Sequence, residues 1–396
     1  MNIPAIEGGS PVRTSYLPFS PPDIRNEEIA AVEEVLKSKW ITRGERCEKF
    51  ERLLADYTGA EHAVVLNSAT AGLFLCLKIP GIGAGDEVIT SPYTFAATAN
   101  VILHSGAKPI FADIEEPTFC ISPSEIEKKI TKKTRAVIPV HFAGHPAPLR
   151  EIRALAEANN LRVVEDAAHA IGAELEGKKI GNGESSSVFS FHAVKNLTTA
   201  EGGAVTSNDG EFKKLLRLYS LHGQTKDALS KLSSGGWRYD IALPGYKFNM
   251  TDIQAALGIE QLRRLEENRI KREKVAQAYS EFFRGYDFTS TPQVKSGVRH
   301  AWHLYPLRLD FSCLKIKRDA LIHALAAENI SSNVHFIPVH LMSYYRKTFG
   351  FVPEDFPCAY RAYLSEVSLP IYPSMSEDDT HDVMEAFSKL LRFYKK

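Results

Sequence analysis

From about residue 60 to residue 220, short apolar runs alternate with stretches of helical period. The β-rich runs are Ala63–Leu66, Glu87–Thr90, Pro109–Ala112, Ala136–Val140, Arg162–Glu165, Val188–Phe191 and Ala204–Ser207. Candidate helices lie between them at Ala69–Leu77, Phe95–His104, Pro123–Lys129 and Leu149–Asn159. Such alternation predicts an α/β domain, its mostly parallel sheet covered by helices on both faces. In sheets of this kind a ligand sits beyond the carboxyl ends of the strands. From Thr251 the pattern changes. A long helical stretch, Thr251–Phe283, leads into a remainder of helices and short strands, the pattern of a smaller α+β domain. Pro18, Pro21 and Pro22 predict an extended N-terminal arm. The chain is thus divided into an arm (1–25), a large domain (26–262) and a small C-terminal domain (263–396). The segment 224–239, inside a long loop from Gly223 to Gly245, fits no element; a loop of that length is either functional or plainly flexible.

Charge and cysteine content narrow the function classes. Lys+Arg and Asp+Glu both total 48, and no basic block stands out, so neither nucleic acid nor an anionic membrane is the expected partner. An anionic ligand must then be bound by local features. Cys47, Cys76, Cys120, Cys313 and Cys358 are scattered, odd in number and form no C-x-x-C, which argues against a disulfide framework or a zinc site. A reducing, cytoplasmic setting fits better. The first residues lack the apolar core of a secretory signal, and no run of about 18 apolar residues occurs.

Three short stretches carry candidate chemistry, each at or just beyond a strand end. Asn67-Ser68-Ala69-Thr70 joins a strand to a helix; it reads as an anion site at a helix N-terminus, or as a plain N-cap. Val163-Val164-Glu165-Asp166 ends a hydrophobic strand in an acid, suited to a buried cation or simply to capping the next turn. Lys195 lies in a loop between two strands; desolvation makes such a lysine a nucleophile, although most lysines are solvated surface charges. Together, in that order on one sheet, they supply donors for a phosphate, a carboxylate for a pyridine nitrogen and an amine for an aldehyde. Those are the needs of pyridoxal phosphate.

With these residues in place the chain resembles the DegT/DnrJ/EryC1/StrS family of sugar aminotransferases, of fold type I. The matching stretches are NSATAGL (67–73), GDEVITSPYTFAATAN (85–100), VVEDAAHAIGA (163–173), FSFHAVKNLTTAEGGAV (189–205) and PGYKFNMTDIQAALG (244–258). The resemblance runs from the arm (LPFSPPDI) to SLPIYPSM near the end, and is nearest to enzymes that aminate C4 of nucleotide-linked 4-keto sugars. It implies that Lys195 carries pyridoxal 5′-phosphate as a Schiff base, with pyridoxamine 5′-phosphate as the intermediate form. It implies that Asp166 pairs with the pyridinium nitrogen and that His169 lies near O3′ or the ring face. Ala69, Thr70 and Ser190 would bind the phosphate, Phe95 would stack on the ring, and Asn249 would reach the phosphate in a neighbouring subunit. A homodimer with shared active sites follows. His340 would approach the substrate, and His141 and His192 would be packing or supporting residues.

The expected reaction moves an amino group from glutamate or glutamine to C4 of a keto sugar, UDP-linked, for surface polysaccharide or glycan synthesis. No metal is needed. The alternatives are amination at C3 of a keto sugar or of a cyclitol, and, from another class, a non-catalytic regulatory or structural homologue.

Overall fold

The computed structural model describes residues 3–226 and 237–396. Much of the 224–239 segment therefore lies outside the described residues. The first half runs α1 (Asn26–Ser38), α2 (Glu45–Thr58), β1 (His62–Leu66), α3 (Ala69–Lys78), β2 (Glu87–Thr90), α4 (Ala96–His104), β3 (Lys108–Phe111), α5 (Pro123–Lys129), β4 (Thr134–Ile138), α6 (Leu149–Ala158) and β5 (Arg162–Asp166). A two-residue hairpin follows, β6 (Glu174–Leu175) and β7 (Lys178–Lys179), then β8 (Ser186–Ser190), β9 (Gly203–Ser207) and α7 (Gly210–Ser220). Seven strands form one sheet in the order β1-β9-β8-β5-β4-β2-β3. The pairs from β8 through β5, β4 and β2 to β3 are parallel; β9 runs antiparallel to both β1 and β8.

Alternation along the strands sets the two faces. Val64 and Leu66 of β1, Val188 of β8 and Val205 of β9 pack with α3, α4 and α7 through Leu73, Val101, Phe212 and Leu216. Ala63, Val65, Phe189 and Ala204 point the other way, onto Phe50 and Leu54 of α2. A side-chain period of two therefore fills two cores from one set of strands. β8 begins two residues earlier than the apolar run suggests. Its polar start is stabilised by Ser187, whose Oγ donates to the buried Glu165 Oε2 at 2.9 Å.

The long stretch from Thr251 is two helices, α8 (Asp252–Arg263) and α9 (Leu265–Phe283). Arg264 breaks them with φ −101° and ψ 3°, and its guanidinium bonds Asp23 and Glu28 instead of continuing the helix face. The remaining elements are β10 (Thr289–Ser290), β11 (Val298–Arg299), β12 (Tyr305–Leu309), α10 (Arg318–Ala327), α11 (Ser343–Phe349), α12 (Pro357–Ser365), β13 (Glu366–Leu369) and α13 (Glu377–Tyr394). Strands β10-β12-β13 form a small sheet, and its core is shared by α9, α10 and α13. After one 3-10 turn at Ala5–Glu7 the arm carries no helix up to Arg25, and it is pinned to this second core. Leu17 pairs with Ile330, and the Ala5 and Val12 amides donate to the buried Glu328 carboxylate. Among the described residues no helix is long and apolar enough to cross a membrane.

One carboxylate ties α8 to the start of α2. Asp252, at the first position of α8, accepts from the amides of Gly44 (2.8 Å), Arg46 (3.1 Å) and Cys47 (3.0 Å), three of the orphan donors at the α2 N-terminus. It is 3% exposed, so water cannot replace it. Asp252→Ala is expected to destabilise the protein by about 2 kcal/mol or more, as loss of a buried cap does. A lowered thermal midpoint checks this; an unchanged midpoint would show that the cap carries little of the fold.

Candidate active site

The sheet's carboxyl edge gathers the three stretches. β5 ends on Asp166, which is buried. Its Oδ2 accepts from Thr98 Oγ1 on α4 at 2.7 Å, and its Oδ1 accepts from the Ala168 amide at 3.1 Å. Thr98 has one proton and gives it to the carboxylate, so Thr94 must be the donor in the 2.8 Å Thr94–Thr98 contact. Burial pushes the Asp166 carboxyl up, while Thr98, the Ala168 amide and the charge of Lys195 pull it down; the net direction is upward.

Lys195 sits in the loop from β8 to β9, partly buried. Its Nζ lies 3.4 Å from His303 Nε2. Burial drops its pKa to about 8, against the opposing pull of Asp166. The loop is anchored by the next residue. Asn196 Nδ2 donates to the Ala301 carbonyl at 2.8 Å, and its Oδ1 meets His303 Nδ1 at 3.1 Å.

The anion site forms where β1 hands over to α3. Ser68 is the N-cap and accepts from the Ala71 amide at 3.1 Å. The Ala69 and Thr70 amides, at the first two helical positions, have no partner among the described residues, as helix geometry dictates. Gly203 makes this end of the helix accessible to β9. A Cβ there would stand 2.4 Å from the Ala69 nitrogen and 2.5 Å from the Ser68 carbonyl carbon. Ser190 pairs with Gly203 across β8 and β9, and its hydroxyl accepts from the His192 amide at 3.4 Å. Asn249 bridges Leu66 at the end of β1, beside that turn in its own chain.

His169 follows Asp166 by three residues. Its Nδ1 accepts from the Ala143 amide at 3.3 Å, which leaves the ring proton on Nε2. Its ring lies 4.4 Å from that of His303, centroid to centroid. Burial holds His169 and His303 well below the usual imidazole range and His335 at about 3, with the Lys195 charge adding to each. Three rings that disfavour a charge thus lie within electrostatic reach of one amine. Phe95, the N-cap of α4, is 63% exposed and meets Phe336 at a tilt, 6.0 Å between ring centroids. His340 lies apart from this group, fully buried, edge-on to Phe356 at 4.8 Å. His141 supports the sheet: its Nδ1 accepts from Ala147, so its Nε2 donates to Glu165 at 3.2 Å. His192 is exposed.

The sequence reading did not single out His303, Asn196, Thr98 or His335. His303 belongs to the segment that leaves β11, which pairs with β6 and returns across the first core. That segment is hung on residues 143–144 by bonds from the Ala301 amide to the Gly144 carbonyl (3.0 Å) and from the His303 amide to the Ala143 carbonyl (2.9 Å). Gly144 has φ +98°, and a Cβ there would stand 3.0 Å from Ala301 Cβ. Its other tie is Arg272, a buried arginine on α9 whose Nη1 donates to the Ile371 carbonyl at 2.6 Å and to the Trp302 carbonyl at 3.4 Å. Two histidines in RHAWHLY have no periodic reason to mark a site, and only the fold brings the second to Lys195.

The residues fit a phosphorylated aldehyde with a basic ring nitrogen: free amides and a hydroxyl at α3, a depressed amine, and a buried carboxylate. The comparisons agree. The chain matches the DegT/DnrJ/EryC1/StrS aminotransferase family over residues 22–388. It is 47% identical over 382 residues to the spore coat polysaccharide biosynthesis protein SpsC of Bacillus subtilis, spanning 96% of this chain and 98% of that one. Spr1654 of Streptococcus pneumoniae, a proposed sugar aminotransferase, superposes in its PMP form with a TM-score of 0.89 at 38% identity, over 95% of this chain and 99% of that one. The same protein is also solved in a PLP form. PseC of Helicobacter pylori, an aminotransferase involved in the biosynthesis of pseudoaminic acid, superposes with a TM-score of 0.88 at 32% identity, over 96% of this chain and 100% of that one. Site and relatives converge on one conclusion: the chain belongs to the DegT/DnrJ/EryC1/StrS aminotransferase family.

Proposed function

We propose that this aminotransferase moves an amino group from glutamate or glutamine to C4 of a UDP-linked keto sugar, in the cytoplasm, for a surface polysaccharide or glycan. The observation that carries the reading is the Lys195 amine, 3.4 Å from a histidine nitrogen and in the field of the buried Asp166 at the sheet edge. The sugar substrate is supported by the relatives, which serve spore coat polysaccharide and pseudoaminic acid synthesis. The cofactor is pyridoxal 5′-phosphate. When bound, its protonated ring withdraws electrons from a carbon–hydrogen bond next to the transferred nitrogen.

The chain's own residues supply the rest. The Ala69 and Thr70 amides and the Ser190 hydroxyl would hold the phosphate at the positive end of α3. Asp166, braced by Thr98 and the Ala168 amide, keeps the ring nitrogen protonated, since a carboxylate beside a base raises its pKa. Phe95 would stack on the cofactor ring, and the His169 Nε2–H would offer it a hydrogen-bond donor. Neutral Lys195 Nζ would carry the proton between the donor's α-carbon and the cofactor's C4′, the two carbons that flank the transferred nitrogen. Asn249 completes the phosphate site of a second subunit in a homodimer, whereas His340, enclosed beside Phe356 and apart from Lys195, is not given the substrate role expected of it. The arm, large unit and small unit divide at residues 25 and 262.

A panel of nucleotide keto sugars tests the substrate: turnover is expected with the UDP-linked 4-keto sugar, and turnover only with a 3-keto sugar or a cyclitol ketone would replace this reading. The native protein with cofactor should absorb in the visible range, and Lys195→Ala should lose that band while still binding the free cofactor. A retained band in the variant would remove Lys195 as the anchor. The amine is reactive when neutral, so cofactor capture by the stripped protein should rise with pH through a midpoint of about 8, not near the ordinary lysine value. Asp166 raises that pKa, so Asp166→Asn should move the midpoint lower still, and should cut turnover on the order of 10²-fold or more with the fold retained. A higher midpoint, or near-native turnover, would take Asp166 out of the mechanism.

A further inference from the structure

We propose that His303 is a positioning residue for Lys195: its ring, locked in one tautomer by Asn196, accepts a hydrogen bond from Nζ and so holds the amine in place with its lone pair turned off the imidazole. The inference rests on Lys195 being the reactive amine, as proposed above, and adds what aims it.

The tautomer follows from proton counting. The Ala301 carbonyl can only accept, so the Asn196 atom 2.8 Å from it must be the amide nitrogen. The other Asn196 atom is then the oxygen, and it too can only accept. His303 Nδ1, at 3.1 Å from that oxygen, must carry the ring proton. A neutral imidazole with its proton on Nδ1 presents a lone pair at Nε2, which is the atom 3.4 Å from Lys195 Nζ. A neutral amine has two N–H bonds and one lone pair. Committing an N–H to His303 excludes the one orientation in which the lone pair would face the ring.

The clamp is self-referential. The residue after Lys195 grips both the backbone (Ala301) and the ring (His303) of the segment that the lysine touches. That segment is held to Ala143 and Gly144 and, through Arg272, to α9. A change in the loop's position would therefore move amine and acceptor together. Other charged or titratable groups around the amine are Asp166 at the end of β5, His169 just beyond it, and His335. Arg272 on α9 acts on His303 from behind. Asp166 alone among these carries a negative charge, so the imidazole is the one neutral ring nitrogen within hydrogen-bond distance of Nζ among the described residues.

The test uses the full-length protein freed of cofactor. Lysine labelling by reductive methylation across a pH series, read at Lys195 by peptide mass spectrometry, gives the midpoint of its proton loss. An ammonium donates to His303 more strongly than an amine does, so losing the acceptor should favour the neutral form. His303→Phe is expected to lower the midpoint by about one pH unit, and His303→Gln, whose side-chain oxygen still accepts, to stay near native. Asn196→Ala keeps the ring but frees its tautomer, and should shift the midpoint in the same direction as His303→Phe; it decides the matter if the Phe variant does not fold. In the loaded enzyme His303→Phe should lower kcat with the sugar KM unchanged. Equal midpoints in all four proteins, or equal shifts in the Gln and Phe variants, would reduce His303 to a packing residue and overturn the proposal. So would an NMR spectrum showing the His303 proton on Nε2. If instead Lys195→Ala keeps the visible band, the anchoring role fails while the midpoint shifts survive, so the two failures are told apart.

Discussion

An amine and a carboxylate share a dry corner at the carboxyl edge of the sheet without pairing directly, and the rest of the site is arranged around keeping them apart but coupled. Asp166 spends its oxygens on Thr98 and the Ala168 amide; Lys195 leans on His303. A direct ion pair there would hold the lysine charged and make it a poor nucleophile. Distance and burial leave its pKa near 8, within reach of neutral pH. The backbone pays for this geometry at two close approaches: Gly203 against the α3 N-terminus, and Gly144 against Ala301. Side chains at either place would push β9 off the anion site or lift the 301–303 segment away from the lysine.

The same corner needs a rigid floor, and Glu165 supplies it. It is buried one residue before Asp166, so its side chain faces the other side of β5. It accepts from Ser187 on β8, from His141 beyond β4, and from Arg153 on α6 at 2.8 Å. Burial would raise its pKa, but His141 and Arg153 hold it at about 2. Three neighbouring elements are thereby fastened to the strand that aims Asp166. An uncompensated Glu165 would be costly, which is why a glutamate in a hydrophobic strand is a structural statement as much as a chemical one.

The strands and most helices were legible because two-residue alternation and caps are local. Pro123–Lys129 and Glu87–Thr90 coincide with the elements read from sequence. The split at Arg264 was not legible, since its cause is a pairing with Asp23 and Glu28 more than 230 residues away in sequence. The polar start of β8 was hidden for a like reason: Ser187 belongs to the strand because of Glu165. Lys195, Asp166 and the turn before α3 were visible because each sits at a strand end, where the fold class itself puts ligands. His303 comes 108 residues after Lys195 and no periodicity points to it. His335 and His340 illustrate the same limit. Both lie in HFIPVH, yet one ring is coupled electrostatically to Lys195 and the other is enclosed beside Phe356.

What the structure adds is therefore the second layer, the groups that hold the reactive ones. Such groups are hard to read from sequence because their chemistry is ordinary: an asparagine, a threonine, a histidine in a tryptophan-containing run. Their meaning comes from saturation. Asn196 has one oxygen and one nitrogen to spend, and the Ala301 carbonyl fixes which goes where. Thr98 has one proton, and Asp166 takes it. When each donor and acceptor in a buried network has a single consistent assignment, side chains lose their alternatives. A lysine on a four-carbon stem, otherwise among the most mobile of residues, is then presented at one place, with its lone pair turned off the ring that holds it.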